Sequence, residues 1–412
     1  MRYKNHLITS GTQTYSKQPC RYVEGVYPAR IEQGNGAYVY AQGKWYVDYT
    51  CALGANLLGY AHPHVNHAAK RQIDRGILFG MPHALEWTLA ERLNKLFPVL
   101  ESMRFLKSGS EAVSAAIKIA RAATNRTIVL SSGYHGWHDW STPITERNGG
   151  TPVELCETIF SVPYGNYQRL KAAFDAWGKD VACVVIDPFV FEQPELNYFK
   201  KLVCLAHKHG ALVIFDEIVT GMRWQNLSVH QTYGVKPDLL CLGKSIANGF
   251  PLSVVGGKRK LMEVLDKDCF VSSTFGGELA SIAACIATLD VVQMESVPMQ
   301  ILSSGSQLQD SYNEMAHALN LDTRCIGNPA RLKFEFPTNV HKSLFWQECC
   351  LRGVLFGGAT HTSLAHTTQI VDNTCDVIKH AFIKLKEYWD KPEEALLGKP
   401  SVEVSTIAKV RT

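Results

Sequence analysis

Residues 238–257 read DLLCLGKSIANGFPLSVVGG. Two apolar runs, DLLCL (238–242) and LSVVGG (252–257), flank a glycine-rich segment whose lone cation is Lys244. An ammonium ion is costly to bury unless it is paired or loses its charge. Two chemistries suit such a lysine. GKS is the ending of a phosphate-binding loop, and a lysine in a dry pocket is also an amine nucleophile that forms Schiff bases.

The phosphate-loop reading fails on spacing. The pattern G-x-x-x-x-G-K-[S/T] requires a glycine at position 238, where Asp238 stands. A carboxylate there would repel phosphate. VIFDE (213–217) has the form of the partner strand of such a loop, but it precedes GKS, the reverse of the usual order.

Outward from Lys244, apolar runs alternate with amphipathic helical stretches. The runs are MRFL (103–106), TIVLS (127–131), ACVVID (182–187), ALVIFD (211–216), DLLCL and LSVVGG. Such Val/Ile/Leu-rich runs between helices predict a mostly parallel sheet buried on both faces. The fold class is therefore α/β, with a large domain over 56–290. GAYVYAQGKWYVDYT (36–50) alternates around a QGK turn and predicts a β-hairpin within an N-terminal segment, 1–55. After residue 290, helices alternate with short strands such as RLKFEF (331–336) and GVLFGG (353–358). They predict a smaller α+β domain, 291–389. The polar stretch 390–412 reads as an extended tail.

Composition bounds the function. The 412 residues are 46% hydrophobic and 19% charged, a globular composition. A net charge of +4, without long basic runs, permits an anionic ligand and gives no argument for nucleic acid. The twelve cysteines show no C-x-x-C pair, which predicts a reducing, cytoplasmic setting. The opening MRYKNHLITSGTQTYSK has no apolar core of a secretory signal, and no run approaches the ~18 apolar residues of a membrane span. His62, His64 and His67 have no nearby carboxylate or cysteine in sequence to complete a ligand set, so no metal is expected.

The nucleophile reading gains support from three further segments. A pyridoxal phosphate (PLP) enzyme needs a lysine for the aldehyde, a carboxylate for the pyridine nitrogen, a phosphate cradle and a group against the ring face. Lys244 supplies the amine. Asp216 ends the apolar strand ALVIFD, where a carboxylate needs a cationic partner. A helix cap or a pairing with Arg223 would also account for Asp216. FLKSGSEAVSAAIKIARAAT (105–124) reads as strand, turn and helix, with Ser108 and Glu111 forming a capping box. A helix start of this kind is an anion site. Tyr134, in SSGYHGWHDW after the strand TIVLS, is placed to stack on a ring, although a core tyrosine is an equally good account.

Taken together, these segments resemble the class III aminotransferases, fold-type I PLP enzymes, a likeness that implies a seven-stranded sheet in the large domain and a small domain formed from the N-terminal segment 1–55 with 291–389. Within that family the likeness is to the glutamate-1-semialdehyde aminomutase group. It runs from about residue 35 to about residue 385 and is carried by LGYAHP, MPHALEWTLAERL, RFLKSGSEA, GYHGWHD, LVIFDEIVTGMR, PDLLCLGKSIANGFPLSVVGG, STFGGELASIAACIATL and SLAHTTQIVDNTCDVI. Lys244 follows Asp216 by 28 residues, as the family pattern requires.

The resemblance implies roles. Lys244 would carry the Schiff base and move protons, and Asp216 would pair with the pyridinium nitrogen. Ser108, Gly109 and Ser110 would hold the phosphate. Tyr134, with His135 beside it, would lie on one ring face and Ile218 on the other. Thr274 would reach the phosphate in a neighbouring subunit, which implies a homodimer acting on small-molecule amines and carbonyls. The implied reaction passes the amino group through pyridoxamine phosphate, as an aminotransferase or an aminomutase.

The substrate positions depart from the pattern. KSGSEA replaces the frequent N-S-G-T-E-A, and Asp187-Pro188 replaces glutamate-proline. Glu278 stands where asparagine is usual after the paired glycines. Leu53 takes the place of the aminomutase tryptophan. Arg21, in Pro19-Cys20-Arg21, and Glu192 are further substrate candidates. A decarboxylase or lyase acting on an amino-acid-like, sugar-linked or nucleotide-linked amine stays open on the same scaffold. So does a non-catalytic PLP-binding protein, against which the presence of both Lys244 and Asp216 argues.

Overall fold

The computed structural model describes residues 7–403, apart from Val190, Gln193 and Leu196. Thirteen strands lie among the described residues. They are β1 (Gln33–Asn35), β2 (Tyr38–Ala41), β3 (Lys44–Asp48), β4 (Ser102–Leu106), β5 (Ile128–Ser132), β6 (Ile159–Ser161) and β7 (Val181–Ile186). The others are β8 (Leu212–Asp216), β9 (Leu239–Leu242), β10 (Ser253–Gly257), β11 (Arg324–Asn328), β12 (Arg331–Glu335) and β13 (Val354–Leu355). The chain divides into two compact units. Pro63–Pro298 forms one, while, among the described residues, 7–62 join 299–403 in the other.

The larger unit is built on a seven-stranded sheet of order β4-β10-β9-β8-β7-β5-β6. Its runs of buried Val, Ile and Leu carry few polar side chains because both faces are covered. Every residue of β5, β7, β9 and β10 is buried. Each wholly buried Val or Ile contributes about 1.5–3 kcal/mol. The helix Gly109–Thr124 presents Ala112, Ala116, Ile117 and Ala120 to this core. Its alanines let it lie close to the sheet.

Six strands run the same way, and β10 is antiparallel to both neighbours, β9 and β4. The reason is the short link. Only residues 243–252 join β9 to β10, and a parallel crossover needs a dozen or more. The carboxyl ends of β4, β5, β7, β8 and β9 consequently share one sheet edge. The peptides that follow them carry Lys107–Ser110, Gly133–His135, Asp187, Glu217–Ile218 and Gly243–Lys244.

The smaller unit holds a four-stranded sheet, β1-β2-β3-β13, and the hairpin β11–β12. The predicted hairpin is β2–β3, turning through Gln42 and Gly43, both at positive φ. Its core is aromatic, with Tyr312, Phe334, Phe345, Phe356 and Phe382 in mutual ring contact.

Candidate active site

The cradle begins at the end of β4. Ser108 has extended backbone and caps the helix Gly109–Thr124, accepting from the Glu111 N–H at 3.3 Å. Glu111 Oε2 accepts in return from the N–H groups of Ser108, at 2.6 Å, and Lys107, at 3.1 Å. Ser253 Oγ donates to the Ser108 carbonyl at 2.7 Å and pins the cap to β10. The first N–H groups of a helix have no intrahelical acceptor, and the dipole favours an anion there. The N–H groups of Gly109 and Ser110 have no acceptor among the described residues. Gly136, at φ +100°, crosses close over this start, where a Cβ would lie 2.2 Å from Ser110 Oγ. Only glycine fits that crossing.

Asp216 ends β8 and is buried. Its Oδ2 lies 2.7 Å from His135 Nδ1, and its Oδ1 accepts from the Ile218 N–H at 3.2 Å. His135 Nε2 is 3.1 Å from the Ser132 carbonyl oxygen. Both ring nitrogens thus face oxygen atoms. The buried Asp216 carboxylate has a hydrogen-bonding partner, a histidine from the loop after β5.

Ile218 joins the two halves of the site. A Cβ on Gly109 would lie 2.9 Å from Ile218 Cγ2, and one on Gly243 would lie 2.9 Å from its Cδ1. The side chain therefore packs between the cradle and the residue before Lys244. Asp216 pairs with Cys241 in register, so Lys244 follows on the adjacent strand at the same edge. Lys244 has φ +45°, an uncommon conformation for a lysine. Ser245 Oγ donates to the Gly221 carbonyl at 2.6 Å and anchors the strained 3₁₀ turn. Strain of this kind persists where the surroundings hold it and is common at functional sites. Tyr134 is 51% exposed at this edge. Burial and the Asp216 charge push its hydroxyl pKa above the usual tyrosine value.

The cofactor-site candidates Ser108, Gly109, Ser110, Tyr134, His135, Asp216, Ile218 and Lys244 all belong to one unit and one sheet edge. Thr274 is exposed on the loop before the helix Leu279–Glu295. Glu278 caps that helix, accepting from Ala280 N–H at 2.7 Å and Ser281 N–H at 3.2 Å. Glu192 is exposed in the segment after β7. Arg21 and Leu53 belong to the other unit. Arg21 donates to the Val402 carbonyl at 3.2 Å, and Leu53 sits in a left-handed turn, Cys51–Gly54.

Sequence reasoning missed the fastening of the 134–142 loop. Ser114 Oγ lies 2.7 Å from His138 Nδ1 and accepts from Trp140 Nε1 at 2.8 Å, tying the loop to the cradle helix. It also missed the Lys107–Glu278 ion pair at 3.1 Å. The one available signal was that both residues depart from the family pattern. His64, read as having no carboxylate nearby, lies 3.2 Å from Asp290.

The described residues fit PLP: free N–H groups at a helix start for a phosphate, a buried carboxylate for a ring nitrogen, an apolar side chain and a lysine. The class-III aminotransferase family matches residues 22–384. This chain is a class-III aminotransferase. It belongs with them to the PLP-dependent enzymes of the aminotransferase and aminomutase type.

Among solved structures, this class-III aminotransferase is similar to the PLP internal aldimine form of the FumI protein of Sphingopyxis sp. MTA144. The two share 26% identity over 93% of this chain and 94% of the other, with a TM-score of 0.85. An omega-transaminase from Sphaerobacter thermophilus is 23% identical over 88% of this chain and 92% of its own, at TM-score 0.81. A glutamate-1-semialdehyde-aminomutase from Pseudomonas aeruginosa PAO1, in complex with PMP, is 21% identical over 86% and 87%, at TM-score 0.78. The last two likenesses concern the fold.

Proposed function

We propose that this class-III aminotransferase moves an amino group from a small-molecule amine to a small-molecule carbonyl compound, with Lys244 as the group that holds PLP and handles the proton. The observation that carries this reading is the sheet edge at which the Lys244 turn adjoins the buried Asp216–His135 pair and, through Ile218, the cradle at Gly109. PLP, when bound, accepts electrons from the substrate carbon, and a carboxylate at its ring nitrogen sustains that capacity.

The protein's own residues divide the work. The N–H groups of Gly109 and Ser110, with the Ser110 hydroxyl, would hold the phosphate. Asp216, which also accepts from the Ile218 N–H and meets His135, would pair with the ring nitrogen. Ile218 and Tyr134 would supply the side chains against the ring. Lys244 would hold the cofactor and would serve as the base that moves the substrate proton, and its turn restricts the directions its side chain takes.

The active unit is a homodimer in this reading. Ile77, Phe79, Met81, Trp87, Phe270 and Phe275 are exposed. Ile77 O accepts from Leu279 N–H at 2.8 Å, which brings the 77–81 and 275–279 segments together. Exposed apolar side chains gathered this way mark an association surface. No single helix among the described residues is long and apolar enough to cross a membrane. All twelve cysteines are free thiols, which supports a reducing, cytoplasmic setting.

The test is spectroscopic. Protein loaded with PLP should show a visible absorption band that Lys244→Ala lacks, and amine donors should convert that band while a carbonyl acceptor restores it. Full turnover by Lys244→Ala would overturn the assignment. Carbon dioxide release without amino transfer would identify a decarboxylase instead.

A further inference from the structure

Lys107 and Glu278 are 171 residues apart in sequence, and their side chains meet at 3.1 Å. Both are well covered, at 17% and 13% exposure. Lys107 immediately precedes the cradle Ser108–Ser110. Glu278 closes the loop that carries Thr274. Its carboxylate has four donors: Ala280 N–H, Ser281 N–H, Ser281 Oγ at 2.6 Å and Lys107 Nζ. That set leaves little capacity for a substrate group.

A second contact fastens the same loop. A Cβ on Gly276 would lie 2.5 Å from the Phe105 carbonyl oxygen, and one on Gly277 would lie 2.9 Å from Glu86 Oε2. The loop base is pressed onto the end of β4 and the start of the helix Ala84–Leu96, while Thr274 and Phe275 stand exposed above it. The ion pair thus bridges the two elements that the PLP reading assigns to phosphate binding.

We propose that Lys107 and Glu278 are positioning residues whose ion pair locks the Thr274 loop to the phosphate cradle and thereby sets PLP affinity. The proposal rests on the PLP reading above. Both residues depart from the family pattern noted above, and their opposite charges meet in the fold. Leaving either charge alone, partly buried, costs more than removing both. The electrostatics are unequal on the two sides. Burial holds the Lys107 ammonium below the usual lysine pKa, only partly offset by Glu278. Burial also acts on Glu278, but its donors outweigh it and hold the carboxyl below the usual value. The donor set makes Glu278 the firmer partner.

The test is a double-mutant cycle with Lys107→Asn, Glu278→Asn and the double variant. Asparagine is itself a good N-cap, so Glu278→Asn removes the charge and keeps the helix capped. PLP is titrated into each apo-protein by visible absorbance. Backbone amide exchange over residues 272–278 is measured without PLP. Each single variant should weaken PLP binding about tenfold, equivalent to about 1.4 kcal/mol. Each should also speed exchange in the loop. The double variant should return to within about threefold of wild type, and Lys107→Arg should bind as wild type. Additive losses in the double variant, or single variants that match wild type in both measurements, would overturn the latch. Failure of the wild-type protein to bind PLP would instead overturn the cofactor reading, and the exchange measurement would still judge the latch.

Discussion

At the residue scale the site turns on how a buried carboxylate is partnered at a sheet edge. Asp216 has His135 as its partner in the absence of a ring nitrogen, and His135 is held at its far side by the Ser132 carbonyl. Leaving a buried polar group without its hydrogen-bond partner costs about 1–3 kcal/mol. His135→Phe should therefore melt at a distinctly lower temperature than wild type as apo-protein. Loading with PLP should recover part of the deficit, because a pyridinium proton offers Asp216 a second partner. Calorimetry of both forms checks this, and equal deficits in the two forms would argue against a ring nitrogen at Asp216. Lys244 and Asp216 were legible in the sequence because each is a charge ending or following an apolar run. That His135 is the partner was not legible. It lies 81 residues away, and only the alignment of β5 with β8 across β7 brings it near.

At the element scale, length and covering decided what the sequence disclosed. The long apolar strands β5, β7, β8 and β9 announce themselves. The short strand read in GVLFGG (353–358) is realised as the two residues of β13 along the edge of β3, whereas β6, with three residues, is too short for any periodicity. The left-handed turn Cys51–Gly54 was equally hidden. Three of its residues are not glycine, and each left-handed residue costs about 1–2 kcal/mol. Contacts available only in the fold hold it, including Cys51 Sγ to the His361 carbonyl at 3.3 Å. The helix Leu279–Glu295 shows the same dependence at its start. Glu278 is held below the usual carboxyl pKa, so its contribution to stability is present above the ordinary glutamate value of 4.5 and is lost as pH falls through the lower folded value. Glu278→Gln should accordingly melt below wild type at neutral pH, and the gap should narrow once the medium is more acidic than about pH 4. Melting curves across pH 3–7 check this. A gap that stays constant to the acid end would mean the charge of Glu278 is not what stabilises the cap.

At the scale of the whole molecule, the hairpin β2–β3 shares a compact unit with the segments after Met299. Periodicity shows each segment by itself, and only the family resemblance implied their grouping. Nor does the sequence show which apolar side chains stay exposed, because an exposed Phe and a buried Phe look alike in it. In the fold, the segments around Ile77 and Leu279 are hydrogen-bonded together, and Gly277 sits against Glu86 beside Trp87. Phe79, Met81, Trp87 and Phe275 are all at least half exposed there. Stable interfaces bury roughly 800 Å² per partner, with aromatic and methionine side chains enriched. A charge introduced at the centre of such a surface has to be desolvated on association, which is strongly unfavourable. Phe79→Glu combined with Phe275→Glu should therefore shift the protein from a particle of twice 45.8 kDa to one of 45.8 kDa in sedimentation equilibrium. Both side chains point outward from the unit that bears them, so folding should be little affected, as an unchanged far-ultraviolet circular dichroism spectrum would verify. If Thr274 serves a neighbouring subunit, the monomer should also bind PLP at least about tenfold more weakly, a loss of about 1.4 kcal/mol. A monomer with undiminished affinity would place the complete phosphate site within a single chain.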